Sequence, residues 1–175
     1  MSRKRVRNVS RGQSPRDSTL KSDAYVRKLL EKQARAIEVA YAQELAAPYD
    51  VPVSIFARPE LSPFEALCTY LSEEKKLRPS ELARTLGKPY MDVYLTTRNA
   101  RKKYPGKLLV VAGLTVPLTE LLSDLWTMNE ALVFYLREKK KLEFHDIARL
   151  LLRDRRNIWT IYKRALNKRV RGGAT

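Results

Sequence analysis

The chain has 175 residues, with 35 Lys and Arg against 19 Asp and Glu, giving a formal net charge of +16. With 44% hydrophobic residues and only six Gly and nine Pro, this composition excludes a disordered low-complexity chain and implies a folded protein with a polyanionic partner, nucleic acid or an acidic membrane. The single cysteine, Cys68, excludes an intrachain disulfide, and no stretch approaches the roughly 18 apolar residues of a membrane span.

Residues 1–22 carry seven basic residues and one acidic one among Ser, Gly and Pro, so a disordered basic tail is expected there, able to neutralise phosphates without reading sequence. No apolar signal core follows it, and the expected location is the cytoplasm, with nucleoid association if the partner is DNA. Residues 23–47 predict one amphipathic helix, with Val26, Leu29, Leu30, Ala34, Ile37, Ala40, Tyr41 and Leu45 on one side and Arg27, Lys32, Arg35 and Glu38 toward the other. That stripe needs a partner, either the segment that follows, which ranks slightly ahead, or the same helix of a second chain. Ala47-Pro48-Tyr49-Asp50 ends it.

From Val51 the chain repeats. Residues 51–103 align with 116–168 at a constant offset of 65 without a gap, with 16 identities that include Val51/Val116, Pro52/Pro117, Glu65/Glu130, Tyr70/Tyr135, Ala83/Ala148, Ala100/Ala165 and Lys103/Lys168. Internal duplication is the natural origin. Each copy opens with a capping box, Ser62 to Glu65 and Thr127 to Glu130, ahead of a scaffold helix. In the first copy a short helix, a tight turn and a longer helix follow, with Ala83 for a close helix crossing, Gly87 for a left-handed turn, and Val93 to plug the crossing. Those residue types at that spacing form the helix-turn-helix signature. In the second copy Ala148 and Ile158 are kept but Leu152 replaces the glycine, so a differently shaped turn is expected. Between the copies, residues 104–115 read as a linker with a short extended segment at Leu108-Leu109-Val110-Val111, and residues 169–175 as a basic C-terminal tail. The expected fold is all-α, two tandem trihelical units preceded by the amphipathic helix and the tail.

Residues 51–103 and 116–168 resemble helix-turn-helix proteins with a sigma-factor region 4-like trihelical unit. The run Ile147-Ala148-Arg149-Leu150-Leu151 followed by Arg153-Asp154-Arg155-Arg156-Asn157-Ile158-Trp159 is similar to a motif of small archaeal helix-turn-helix proteins. The resemblance implies double-stranded DNA binding by the last helix, in transcription regulation. It puts Arg155, Arg156, Trp159, Thr160 and Lys163 against base edges, Asp154 at the N-cap, and Ile158, Tyr162 and Ala165 inward. Arg153, Arg164, Lys168, Arg169 and Arg171 then suit phosphates, as do Lys88, Arg98, Lys102 and Lys103 from the first copy. Between residues 153 and 171 there are eight basic residues and one acidic one, a balance that a solvated helix C-terminus would also favour. The matching positions of the first copy, Pro89, Tyr90, Met91, Tyr94, Leu95 and Arg98, form a far more apolar set, open to packing against the second copy, to dimerisation, or to contact with sugars and thymine methyls, with the structural role ranked first.

No catalytic apparatus is visible. His145 is the lone histidine, beside Asp146, with no second His or Cys placed for a metal and no Gly-rich phosphate loop. Neither cofactor nor membrane partner is expected. Cys68, between Leu67 and Tyr70, reads as a buried helix residue. Two classes compete: a DNA binder, sequence-specific or architectural, and a protein-interaction module on the same scaffold. RNA binding is a weaker third. A homodimer or a partner in the transcription machinery is compatible with either.

Overall fold

With neither Gly nor Pro between Arg16 and Ala47, nothing interrupts the first helix, and α1 runs Pro15–Ala46. The apolar pattern predicted a start at residue 23 because it marks only the amphipathic stretch; the helix begins eight residues earlier, inside the segment expected to be tail. The computed structural model describes residues 15–172, with side chains over 24–171, so the tail's Arg3, Lys4, Arg5, Arg7 and Arg11 lie outside the described residues. Contacts divide the chain into two compact units, one ending at Glu38 and the other beginning at Val39. In the first unit, described by itself, Val26, Leu29, Leu30 and Ile37 are exposed. Within the second unit the last turns of α1 bury Ala42 and Ala46.

The second unit is mostly helical and contains one small two-stranded sheet, an element the expected all-α class did not include. Strand β1 is Asp50–Pro52 and β2 is Thr115–Pro117; they pair antiparallel with Val51 opposite Val116, Asp50 opposite Pro117 and Pro52 opposite Thr115. Just beyond the ladder the Val53 N–H donates to the Leu114 carbonyl at 2.9 Å and the Leu118 N–H to the Tyr49 carbonyl at 2.8 Å. A 3₁₀ turn, Val53–Phe56, follows β1, and a one-turn helix α5, Leu118–Leu121, follows β2.

Three helices complete the first copy, α2 Pro63–Glu73, α3 Pro79–Leu86 and α4 Tyr90–Lys103, and three the second, α6 Met128–Glu138, α7 Phe144–Leu150 and α8 Arg155–Gly172. Both capping boxes form as their residues predict. The Glu65 carboxylate accepts from the Ser62 N–H at 2.8 Å and the Glu65 N–H donates to Ser62 Oγ at 3.2 Å; for Glu130 and Thr127 the distances are 2.8 and 3.4 Å. Three residues beyond the end of each scaffold helix stands a lysine at positive φ, Lys76 at 58° and Lys141 at 57°. The buried core draws on both copies, Leu67, Leu71, Leu82 and Val93 from the first and Leu132, Leu136, Ile147 and Ile158 from the second, with Val51 and Val116 fully buried. Helix α2 packs against α6.

The two turns share one backbone shape, correcting the expectation of a different second turn. Gly87 has φ of 59° and the Lys88 N–H reaches back to the Ala83 carbonyl at 3.0 Å; Leu152 has φ of 49° and the Arg153 N–H reaches the Ala148 carbonyl at 2.9 Å. What differs is the space outside. A Cβ on Gly87 would lie 3.2 Å from the Ala42 Cβ of α1, whereas the Leu152 side chain is 61% exposed. The first turn therefore favours glycine for both conformation and clearance, whereas the second bears the conformational cost alone.

Candidate nucleic-acid interface

Helix α8 begins where Asp154 caps it, its Oδ1 accepting from the Arg156 N–H at 2.7 Å and the Asn157 N–H at 3.4 Å. This cap fixes the register of the helix face. Ile158, Ile161 and Ala165 turn into the core and Tyr162 is half-buried, its hydroxyl donating to the Glu138 carboxylate. Arg155, Arg156, Trp159, Thr160 and Lys163 are exposed, brought together by the i, i+4 spacing that puts them on the side opposite the core. Phe144 from α7 joins Arg155, Arg156, Trp159 and Thr160 around a shallow depression at the start of the helix.

The Lys163 ammonium stands 5.3 Å over the Trp159 ring, which holds a flat apolar surface and a cation side by side. The Thr160 hydroxyl donates to the Arg156 carbonyl at 2.9 Å, so its methyl is held on the outer surface of the helix. Neither Arg155 nor Arg156 has a carboxylate within ion-pair distance among the described residues, leaving both guanidinium groups without an internal partner. That is an arrangement able to donate to acceptors on an external surface.

The residues expected at phosphates divide. Arg164 and Arg171 are exposed along α8, Arg153 is half-buried at the turn, and Arg169 lies 5.6 Å over the Phe134 ring. Lys88, Arg98 and Lys102 are exposed in the first copy. Lys103 and Lys168 have another attachment: their ammonium groups bind Glu65 at 2.6 Å and Glu130 at 2.7 Å. Each lysine thus ties the C-terminal part of its longer helix to the capping carboxylate of its scaffold helix, an internal role that the expected phosphate contact did not anticipate. The identity of both residues at an offset of 65 was the available signal. Burial alone would raise the Glu65 and Glu130 carboxyls, but hydrogen bonds from the lysine and from the cap residue outweigh it and hold both below their usual range.

On α4 the apolar positions are not core. Tyr90, Met91, Tyr94 and Leu95 are between 42% and 56% exposed, with the Tyr90 and Tyr94 rings stacked 6.1 Å apart, while Val93 and Ala100 are buried. Among the described residues from Val39 onward this face is therefore not packed against the second copy, one of the roles open to it. The face is extended by a shallow groove that includes Tyr94, Thr97, Arg98, Arg101 and Lys102.

His145 is exposed, 3.5 Å from Asp146, on the outer side of α7. Cys68 is fully buried, and burial pushes its thiol up to about 12. Among the described residues no helix is long and apolar enough to cross a membrane. No family model, curated protein or solved structure matches the chain.

Proposed function

We propose that this chain is a double-stranded DNA-binding protein, a transcription regulator built on two tandem helix-turn-helix units, that reads the major groove with α8. The observation that carries the reading is the exposed row Arg155, Arg156, Trp159, Thr160 and Lys163 on a helix whose opposite face is core. The two arginines are free to bind a guanine edge bidentately and Thr160 to meet a thymine methyl, while Arg164 and Arg171 follow the backbone. The protein acts by binding rather than catalysis, and its net charge of +16 gives a sequence-independent attraction that places it on the nucleoid of the cytoplasm.

One observation favours the alternative of a protein-interaction scaffold, the exposed Tyr90, Met91, Tyr94 and Leu95 of α4. Selection from a random duplex pool at two salt concentrations separates the readings. A motif enriched by the native chain and lost with Arg155→Ala, Arg156→Ala establishes base reading; each substitution should cost about 1 to 3 kcal/mol on the preferred site. Binding without a motif that vanishes at higher salt leaves an architectural binder, and no binding leaves the protein scaffold.

A further inference from the structure

The strand register carries more than a link between the copies. In the antiparallel pair, Val51 faces Val116, its own equivalent at the offset of 65, and the flanking pairs Asp50 with Pro117 and Pro52 with Thr115 exchange places about that centre. The hydrogen bonds outside the ladder obey the same exchange: Val53 to Leu114 and Leu118 to Tyr49 are one bond written twice, since 118 is the equivalent of 53 and 114 that of 49. Two equivalent strands that pair antiparallel about equivalent residues are related by a local two-fold axis. A translation along the chain would make them parallel. The contact of α2 with α6, equivalent helices, belongs to the same relation. The second unit is a dimer written in one polypeptide.

A two-fold protein and a direct repeat in DNA do not match, because B-DNA relates inverted half-sites by dyads and direct ones by its screw. The face of α4 stands where that of α8 stands in its own copy: Tyr90, Met91, Tyr94, Leu95 and Arg98 occupy the positions of Arg155, Arg156, Trp159, Thr160 and Lys163, and both sets are exposed around a buried Val93 or Ile158. The two faces differ in chemistry. That of α4 carries no guanine-binding pair at its start, but two tyrosines, a methionine and a leucine able to lie on sugars and thymine methyls, with Arg98, Lys102 and the turn residue Lys88 exposed nearby.

From this we infer that the chain takes DNA carrying two half-sites in inverted orientation, a strong one containing guanine under α8 and a weaker thymine-rich one under α4. The inference rests on the DNA-binding reading proposed above. It gives α4 a partner, the same duplex, and makes the protein symmetric in geometry but asymmetric in sequence preference.

The test compares three proteins, the native chain, Arg155→Ala with Arg156→Ala, and Met91→Glu with Tyr94→Glu, first by selection on random duplexes. They are then titrated on duplexes carrying the selected halves inverted, direct or singly, spaced by about 10 bp or a multiple of it. The changed side chains are exposed, and matching circular dichroism and melting curves verify folding. The expected result is an inverted two-part motif, bound about tenfold or more tighter than a single half, with that advantage removed by Met91→Glu and Tyr94→Glu. A single or direct motif that is lost with the arginines and indifferent to the α4 changes overturns the inference while leaving base reading intact. No motif in any arm overturns both.

Discussion

Leu152 holds a left-handed backbone that a branched apolar residue avoids, and its side chain is mostly in solvent, so little packing compensates. Leu152→Gly should therefore raise stability by about 1 kcal/mol, read as a shift of the urea midpoint at unchanged slope. The reverse change, Gly87→Leu, should cost more than this gain returns, because the new Cβ also meets Ala42. A midpoint lowered by Leu152→Gly would mean that the leucine makes contacts worth more than its strain. Glu65 and Glu130 set a second expectation. Both carboxyls lie below their ordinary value in the folded chain through Lys103 and Lys168, so their contribution is complete above the unfolded value near 4.5 and is lost as pH falls through the lower folded one. Urea midpoints measured from pH 7 to pH 3 should fall across that acid range, and the fall should flatten in Glu65→Gln with Glu130→Gln. An unchanged profile in the double variant would remove the two pairs as its cause.

At the scale of elements, the helix crossings decide what is tolerated. Helix α7 packs on α8 with Ala148 and Ile158 buried, and Arg149 beside them exposed. Ala148→Leu should force the two helices apart at a cost of about 1 to 3 kcal/mol, and Arg149→Ala should stay within about 0.5 kcal/mol; thermal melts of the two variants decide it, and equal effects would place Ala148 outside the crossing. These helices were legible because capping boxes, Ala at the crossing and a 3.6-residue apolar period all survive as local signals. The strands were not, because three residues ending in proline carry no alternation to detect; only the repeated Val-Pro at the head of each copy hinted that something was kept there. The α8 face was legible from its period and charge. That of α4 was left open between roles for a physical reason: apolar residues at helical spacing are the pattern of a core face, and nothing local in Tyr90, Met91, Tyr94 and Leu95 distinguishes a buried stripe from an exposed one. The lysine pairs at Glu65 and Glu130 were hidden because each joins residues 38 apart.

For the molecule from Val39 onward, the shared core makes a claim about cooperativity. The copies are joined through Val51 and Val116, both fully buried, and through α2 against α6, so neither three-helix set has a complete core without the other, as expected of units this small. Each copy also carries its own reporter. Cys68 sits buried in α2 of the first, while in the second Trp126 donates its indole N–H to the Ala165 carbonyl at 3.0 Å. In a Trp159→Phe background, urea titrations followed by Cys68 reactivity toward a thiol reagent and by Trp126 fluorescence should give coincident midpoints. Val116→Asp puts an unpaired carboxylate at the centre of the strand pair and should lower both midpoints together, by the equivalent of about 3 kcal/mol or more. Separate midpoints in the native chain, or a Val116→Asp effect confined to Trp126, would mean that the copies fold as independent beads. The strand pair would then be a tether between two independent helical sets, and the proposed inverted two-part site would meet no fixed axis.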